Sequence, residues 1–284
     1  MTPTLVRHHL THTGPSTRVD LWARARDWSE IQERMLVPLY EAVYERLEVG
    51  SGTRLLGLGC GSGLALLMAA ARGAAITGVE PSSRERLALA RQRLLPETWG
   101  ARARADTRLL ERSPGDAADA ETPAYTLVTA FEPIGCLAGD SEGLGALLRG
   151  TTPLAGHGAA VVLAGWGPPE RCTTSAVLRA TGLADPPQGT GSRRPAHRDD
   201  LEDVARRAGL RPDGSGRVAC PFGYADVDSA VRGMLSTGLF DAALAATDPA
   251  QVEKEVTEAL HPYQRPDGTV WMPNVFRYLI ARVP

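Results

Sequence analysis

The sequence lacks the features that mark metal centres, disulfide frameworks and membrane proteins. Its four cysteines lie far apart and form no C-x-x-C pair, so neither a zinc site nor a set of disulfides is predicted. No run of 18 apolar residues occurs, and no apolar segment follows a basic N-terminus. We therefore expect a soluble, cytoplasmic protein that binds no metal.

An excess of charge of one sign is absent too. The 31 basic and 33 acidic residues give a formal net charge of −2, which offers no electrostatic reason to bind nucleic acid or a membrane. Lysine occurs only once, and the many arginines beside abundant alanine and glycine indicate a GC-rich genome rather than phosphate binding. The 284 residues suffice for one large domain, or one domain with an insertion, around a sizeable core.

The most informative stretch is residues 53–82. A short apolar run at 55–58 is followed by three glycines at alternate positions, Gly59, Gly61 and Gly63. A helical run of small and apolar residues at 64–71 then leads to a second strand at 75–79, which is followed by Glu80. This order predicts one β-α-β unit.

Each part of this unit suits a ligand that contains a nucleoside. The glycines allow a sharp turn and a close approach of the ligand to the backbone. The free N–H groups at the start of the helix suit polar or anionic atoms. Glu80 lies 21 residues after Gly59, close to the spacing of about 20 expected for a carboxylate that binds a ribose diol.

The glycine spacing narrows the choice of ligand. Leu64 follows Gly63, so neither the G-x-G-x-x-G dinucleotide pattern nor the Gly-Lys-Ser/Thr of a phosphate-binding loop is present. The remaining pattern, G-x-G-x-G with a distal acid, resembles the first two motifs of the class I S-adenosylmethionine-dependent methyltransferases. The resemblance departs from that family at Gly57, where the family usually has Asp or Glu.

The resemblance implies S-adenosylmethionine as the cofactor, and it also implies which residues bind it. A Gly-Asp-Ala context after the third strand suggests Asp116 for the adenine amino group, with Asp106 as the alternative. The implied cofactor-binding residues are Gly57, Gly59, Cys60, Gly61, Gly63, Glu80, Pro81, Ser82, Asp116, Ala117 and Phe131.

The family fold is an α/β, Rossmann-like sheet of seven strands in the order 3-2-1-4-5-7-6, with strand 7 antiparallel and helices on both faces. By this resemblance, residues 1–50 form an N-terminal helical cap and residues 51–225 the core. Residues 226–268 form a helical insertion, which shapes a substrate pocket or a dimer surface, and residues 269–284 close the sheet. The apolar runs place the third to sixth strands at 108–111, 125–131, 158–166 and 217–224, and the last strand at 275–283.

Substrate residues are expected where strands end, because ligands of open α/β sheets bind at the carboxyl ends of the strands. Glu132 follows the fourth strand and is the first candidate for a base; His261, after the insertion, is the second. Candidate substrate contacts are Glu132 and six aromatic residues, each of which could instead pack in the core: Trp22, Trp28, Tyr40, Trp166, Tyr224 and Trp271.

These features favour methyl transfer to a small molecule, such as a specialised metabolite. Phe-Glu-Pro-Ile stands where many amide and nucleobase methyltransferases carry an Asn-Pro-Pro-Tyr type motif, which argues against nucleic acid and protein acceptors. Two alternatives stay open: a cyclase that uses the same cofactor, and a non-catalytic or atypical cofactor-binding protein, in which Gly57 replaces the motif acid. A homodimer is also open.

Overall fold

A computed structural model describes residues 20–96, 106–111, 115, 124–136, 139–181 and 200–284 of the chain. The strands are β1 Arg54–Leu58, β2 Ala75–Val79, β3 Thr107–Leu110, β4 Tyr125–Ile134, β5 Ala155–Trp166, β6 Arg211–Ala219, β7 Phe222–Tyr224, β8 Val270–Met272 and β9 Val275–Arg282. The helices are α1 Leu21–Asp27, α2 Val37–Arg46, α3 Leu64–Ala71, α4 Arg84–Leu94, α5 Asp140–Thr151, α6 Thr173–Ala180, α7 Asp200–Arg207, α8 Val227–Ser236, α9 Asp241–Ala246 and α10 Pro249–Leu260.

Seven strands form the main sheet in the order β3-β2-β1-β4-β5-β9-β6. The strands β1 to β5 pair in parallel, whereas β9 is antiparallel to both of its neighbours. Because β9 is the last strand of the chain, this order confirms the predicted sheet. The short strands β7 and β8 pair with each other outside it.

The sheet separates two apolar cores. Leu55 of β1, Val162 of β5 and Ile280 of β9 pack on one side with α2 and α3. Side chains of the neighbouring residues point to the other side, where they meet α5 and α7. Alternation of this kind is what a parallel sheet with helices on both faces requires.

The sixth strand differs from its prediction. The sequence suggests a strand at 217–224, but β6 spans Arg211–Ala219, and Phe222–Tyr224 pairs with β8 instead. Pro212, Gly214 and Gly216 weaken the strand signal, yet an edge strand tolerates such residues because one side needs no partner. Gly216 is also needed, since an added Cβ would lie 2.4 Å from the Tyr278 ring.

The N-terminal helical segment is irregular in its middle. Between α1 and α2 the chain forms a π-helical turn at Trp28–Gln32 and a 3₁₀ turn at Glu33–Leu36. The apolar residues Leu36, Leu39 and Val43 are buried, but so are the polar residues Gln32 and Glu33. A π turn adds a residue and rotates the helix face, which places these polar side chains inside. In the described part of the chain, no helix combines the length and apolar content needed for a membrane span.

Candidate active site

The glycine loop between β1 and α3 lies at the carboxyl edge of the sheet. Gly59, Gly61 and Gly63 have φ values of 61°, 58° and 84°, a region that favours glycine. The N–H of Cys60 donates to the Val79 carbonyl at 3.0 Å, which ties the loop to the end of β2. The loop geometry therefore depends on its glycines.

Glu80 follows β2 and is almost completely buried, with 2% exposure. Its carboxylate accepts the Gly61 N–H at 2.8 Å, the Ser82 N–H at 3.1 Å and the Ser82 hydroxyl. A carboxylate offers about four acceptor positions, so one remains for a ligand hydroxyl. Pro81 and Ser82 are exposed beside it.

Two of the predicted cofactor glycines have packing roles. An added Cβ at Gly57 would lie 3.0 Å from Leu66 Cδ2, and one at Gly63 would lie 2.9 Å from Leu94 Cδ1. Cys60 is buried, and its sulfur lies against Gly78. Small size at these positions serves helix and strand packing, whereas Gly59 and Gly61 face polar side chains of the site.

A buried polar cluster joins the N-terminal segment to the glycine loop. The Glu33 carboxylate accepts the Ser62 N–H at 3.1 Å, the Ser62 hydroxyl and Arg93 Nη1 at 2.7 Å. Arg93 also donates to Ser29 Oγ and the Ser62 carbonyl, both at 2.9 Å. Glu33 is only 2% exposed, so the ion pair with Arg93 is shielded from water.

Trp28 lies over the same loop. Its Nε1 lies 3.0 Å from where a Cβ of Gly61 would be, and this buried N–H has no hydrogen-bond partner in the described structure. The Arg86 guanidinium stacks on the indole at 4.2 Å and donates to the Ser236 carbonyl at 2.7 Å. Arg86 thus covers one face of the Trp28 indole, while the indole N–H lacks an acceptor.

A small cavity lies in front of the glycine loop, with a volume of about 30 Å³. Trp28, Glu33 and Tyr40 of the N-terminal segment form one wall, and Glu80 and Phe131 lie on the sheet side. The rings of Tyr40 and Phe131 are 4.8 Å apart. A space of this size holds about two water molecules.

A larger cavity of about 340 Å³ adjoins the small one. Its lining is mainly apolar: Leu36, Leu58, Ala130, Ile134, Leu144, Leu147, Trp166, Phe222, Leu239 and Phe276. The rings of Trp166 and Phe276 are 4.6 Å apart. Apolar cavities of this volume that also hold a few polar groups are typical of small-molecule sites.

Glu132 lines both cavities. At this end of β4 the chain advances four residues, from Ala130 to Ile134, while β5 advances two, and such a bulge redirects side chains. The Glu132 side chain is exposed to solvent, and it lines both cavities. No described residue donates a hydrogen bond to its carboxyl group. Desolvation, opposed by Arg86 and reinforced by Glu80 and Asp140, raises the pKa of Glu132.

The remaining predicted residues lie in different places. Trp166 lines the large cavity, and Tyr224 is buried outside both cavities, where its hydroxyl donates to Gln32 Oε1 at 2.9 Å. Trp22, Trp271 and His261 line neither cavity, and the two tryptophans are 45% and 38% exposed. These four positions have no geometric support as substrate or catalytic residues.

The outcome differs for the two residues that were candidates to bind the adenine amino group. Asp116, with Ala117, lies outside the described residues. Asp106 directly precedes β3, and its carbonyl accepts the Ile76 N–H at 2.8 Å. It therefore lies at the amino end of a parallel strand, opposite the edge that carries the glycine loop.

Three charged residues of the site were missed by the sequence reasoning: Glu33, Arg86 and Arg93. Helical periodicity places Leu87, Ala90 and Leu94 inside α4, as observed, and leaves its arginines on the outside. The N-terminal segment covers the part of that surface that carries Arg86 and Arg93. The only available sequence signal is that the charged residues Glu33 and Arg34 stand between the apolar residues Ile31 and Leu36, and this signal is weak by itself.

No family model matches the sequence, and no curated protein matches it either. Solved structures do match. YcgJ of Bacillus subtilis superposes with a TM-score of 0.53 at 15% identity, over 86% of this chain and 97% of that one. A protein of Bacillus halodurans described as a candidate methyltransferase superposes with a TM-score of 0.52 at 11% identity, over 86% of this chain and 98% of that one. YjhP of E. coli superposes with a TM-score of 0.51 at 19% identity, over 92% of this chain and 99% of that one. These likenesses and the strand order establish the Rossmann-like fold of class I methyltransferases.

Proposed function

We propose that this chain is an S-adenosylmethionine-dependent methyltransferase that acts on a small, largely apolar molecule. The position of Glu132 carries the proposal, because this carboxyl group lines both the glycine-loop cavity and the large apolar cavity. A methyl donor in the first cavity and an acceptor in the second would meet beside it. The fold and the motif at 57–63 support the same conclusion.

The residues of the small cavity suit this cofactor in chemistry but leave little room. Glu80 has an acceptor position for a ribose hydroxyl, and the unpaired Trp28 N–H suits a carboxylate oxygen. However, Trp28 and Glu33 fill the space directly in front of Gly61. The cofactor therefore fits only if the N-terminal segment moves.

Glu132 would act as the base for an acceptor with an ionisable O–H, N–H or C–H. When bound, S-adenosylmethionine supplies an electrophilic methyl group on a sulfonium. The apolar lining excludes water and orients the acceptor, contributions that account for much of the rate in such transfers. The raised pKa of Glu132 brings it closer to the operating pH and so suits proton abstraction.

The first test is calorimetric titration with S-adenosylhomocysteine, which has the shape of the cofactor without the methyl group. We expect binding to the wild type, and binding at least about tenfold weaker in Glu80→Gln, because one charge-assisted hydrogen bond is lost. Glu41→Ala, at an exposed position of α2, is the control. Equal affinity of Glu80→Gln and wild type would contradict the ribose role.

A second candidate is a non-catalytic protein of the same fold. Two observations favour this candidate. Gly57 stands where the family motif has an acid, and Trp28 and Glu33 close the glycine-loop cavity. Absence of S-adenosylhomocysteine binding at millimolar concentration, in wild type and in a variant with a destabilised N-terminal segment, would make it the better one. We further propose that the acceptor is a specialised metabolite and that the chain divides into regions at residues 50, 225 and 268. A cytoplasmic location and a homodimer are also part of the proposal.

A further inference from the structure

We infer that the N-terminal segment is a lid held shut by a latch, and that the cofactor binds only after the latch opens. The lid is residues 20–36, and the latch is Glu33 with Ser29, Ser62 and Arg93. This inference rests on the proposed function for the identity of the ligand. The latch itself is a feature of the described contacts alone.

The latch carries most of the polar contact between the lid and the glycine loop. Glu33 accepts hydrogen bonds from the Ser62 N–H, the Ser62 hydroxyl and Arg93, and the Ser62 hydroxyl lies 2.9 Å from Ser29 Oγ. Glu33, Ser29 and Ser62 are all more than nine-tenths buried. Charge-assisted hydrogen bonds in such surroundings are strong, so the closed state has a specific stabilisation that one substitution can remove.

The closed lid competes directly with a ligand for the glycine loop. Glu33 Oε1 and Trp28 Nε1 lie 2.9 and 3.0 Å from the Cβ position of Gly61. A ligand that approaches this glycine must take the same space. The unpaired Trp28 N–H fits this view, because it lacks in the closed state an acceptor that a ligand could supply.

On its other side, the lid contacts β7 and the two helices that follow it. Arg24 pairs with Asp241 at 2.6 Å, Asp27 lies 3.7 Å from Arg232, and Gln32 accepts from Tyr224. These contacts allow the lid to leave the glycine loop while it keeps its support from α8 and α9. The π-helical turn at Trp28–Gln32, directly before Glu33, is a suitable place for the bend.

The test compares Glu33→Gln with Glu30→Gln, which removes the same charge from an exposed position three residues away. If a latched state limits binding, the apparent affinity rises with the fraction of open lid. We expect Glu33→Gln to bind S-adenosylhomocysteine about tenfold more tightly than wild type, and Glu30→Gln to bind like wild type. Ser62→Ala, which removes only the hydroxyl, is a milder second variant with a smaller change in the same direction.

Weaker or unchanged binding in Glu33→Gln would overturn the inference, since Glu33 would then be a cofactor contact or a passive residue. Hydrogen exchange of the amides of Ser62 and Leu64 gives a readout that needs no ligand. We expect faster exchange in Glu33→Gln, with exchange in β5 unchanged. If no variant binds S-adenosylhomocysteine, the proposed function fails, and the exchange experiment alone decides on the latch.

Discussion

Three carboxylates define the candidate site at the scale of single residues, and their surroundings differ. Glu80 is held by the glycine loop and Ser82, and Glu33 is held by Ser62 and Arg93. Glu132 accepts no hydrogen bond from a described residue and faces the cavities. Glu80 is therefore suited to holding the loop and a ligand, Glu33 to holding the N-terminal segment against the loop, and Glu132 to exchanging a proton.

The free energy of unfolding should reveal the environment of Glu132. Its pKa is raised from the ordinary value of 4.5, so the folded state binds the proton more tightly than the unfolded state does. The stabilising contribution of Glu132 is therefore lost as the pH rises from below 4.5 through its folded-state pKa, and Glu132→Gln lacks this contribution at every pH. In urea titrations, we expect Glu132→Gln to gain stability over wild type between pH 4 and pH 7.

The matched control is Glu253→Gln, at an exposed position of α10. It removes the same charge at a distance from the cavities. A stability difference between Glu132→Gln and wild type that does not change with pH would show that Glu132 is not desolvated in solution.

Substitutions at Gly57 separate the effect of added side-chain volume from the effect of an added charge on stability. An alanine Cβ there would meet Leu66 Cδ2 at 3.0 Å, so we expect Gly57→Ala to cost about 1 kcal/mol of unfolding free energy. Gly57→Asp adds a carboxylate to the cavity that Glu33 and Glu80 already line, and should cost roughly 1–3 kcal/mol more. Equal stability of the two variants in urea titrations would mean that the carboxylate finds a partner in this cavity.

At the scale of elements, the turns before two helices show how the site is built into the fold. Gly63 and Gly139 cap α3 and α5 at nearly the same φ, 84° and 85°. Gly63 also packs against α4, whereas no atom of the described residues lies within 4 Å of a Cβ at Gly139. The first glycine is therefore fixed by tertiary packing and the second only by its backbone conformation.

Alanine at these two glycines should separate the two effects. Gly139→Ala should lose roughly 1–2 kcal/mol of unfolding free energy from the left-handed backbone alone. Gly63→Ala should lose that amount and roughly 1–3 kcal/mol more, because its Cβ would meet Leu94 Cδ1 at 2.9 Å and Ala90 Cβ at 3.2 Å. Thermal and urea denaturation measure both, and equal losses would contradict the packing role of Gly63.

The strands and helices also differ in how well their local sequences predict them. Both strands and the helix of the β-α-β unit have strong local patterns, and the strands Arg54–Leu58 and Ala75–Val79 lie within one residue of their prediction. Edge strand β6 carries proline and glycine, and it pairs with β9 residues that lie 56 to 71 positions further along the chain. The local sequence pattern therefore predicts β6 at the wrong residues.

At the scale of the whole molecule, β9 inserts the end of the chain into the main sheet beside its edge strand. It lies between β5 and β6, and its successive side chains enter opposite cores: Leu279 on one face and Ile280 on the other. Both residues are at most 3% exposed. Stability should therefore depend on both faces of this strand.

Truncation of either side chain tests this arrangement. We expect Leu279→Ala and Ile280→Ala each to lose about 2–5 kcal/mol of unfolding free energy, since both leave cavities in covered cores. Val218→Ala on the half-buried edge strand β6 should lose less than about 1.5 kcal/mol. A small loss for one of the two β9 variants, measured by urea titration, would mean that this face is not closed in solution.

The sequence by itself determined the β-α-β unit, the glycine loop, Glu80 and the order of the main sheet. These follow from short-range patterns and from the resemblance they carry. Only the tertiary structure brought Glu33, Arg93 and Ser62 together, because burial of polar groups depends on which surfaces meet and not on local periodicity. The same reason explains the two cavities and the place of Glu132 between them, since a cavity is formed by side chains that are distant in the chain.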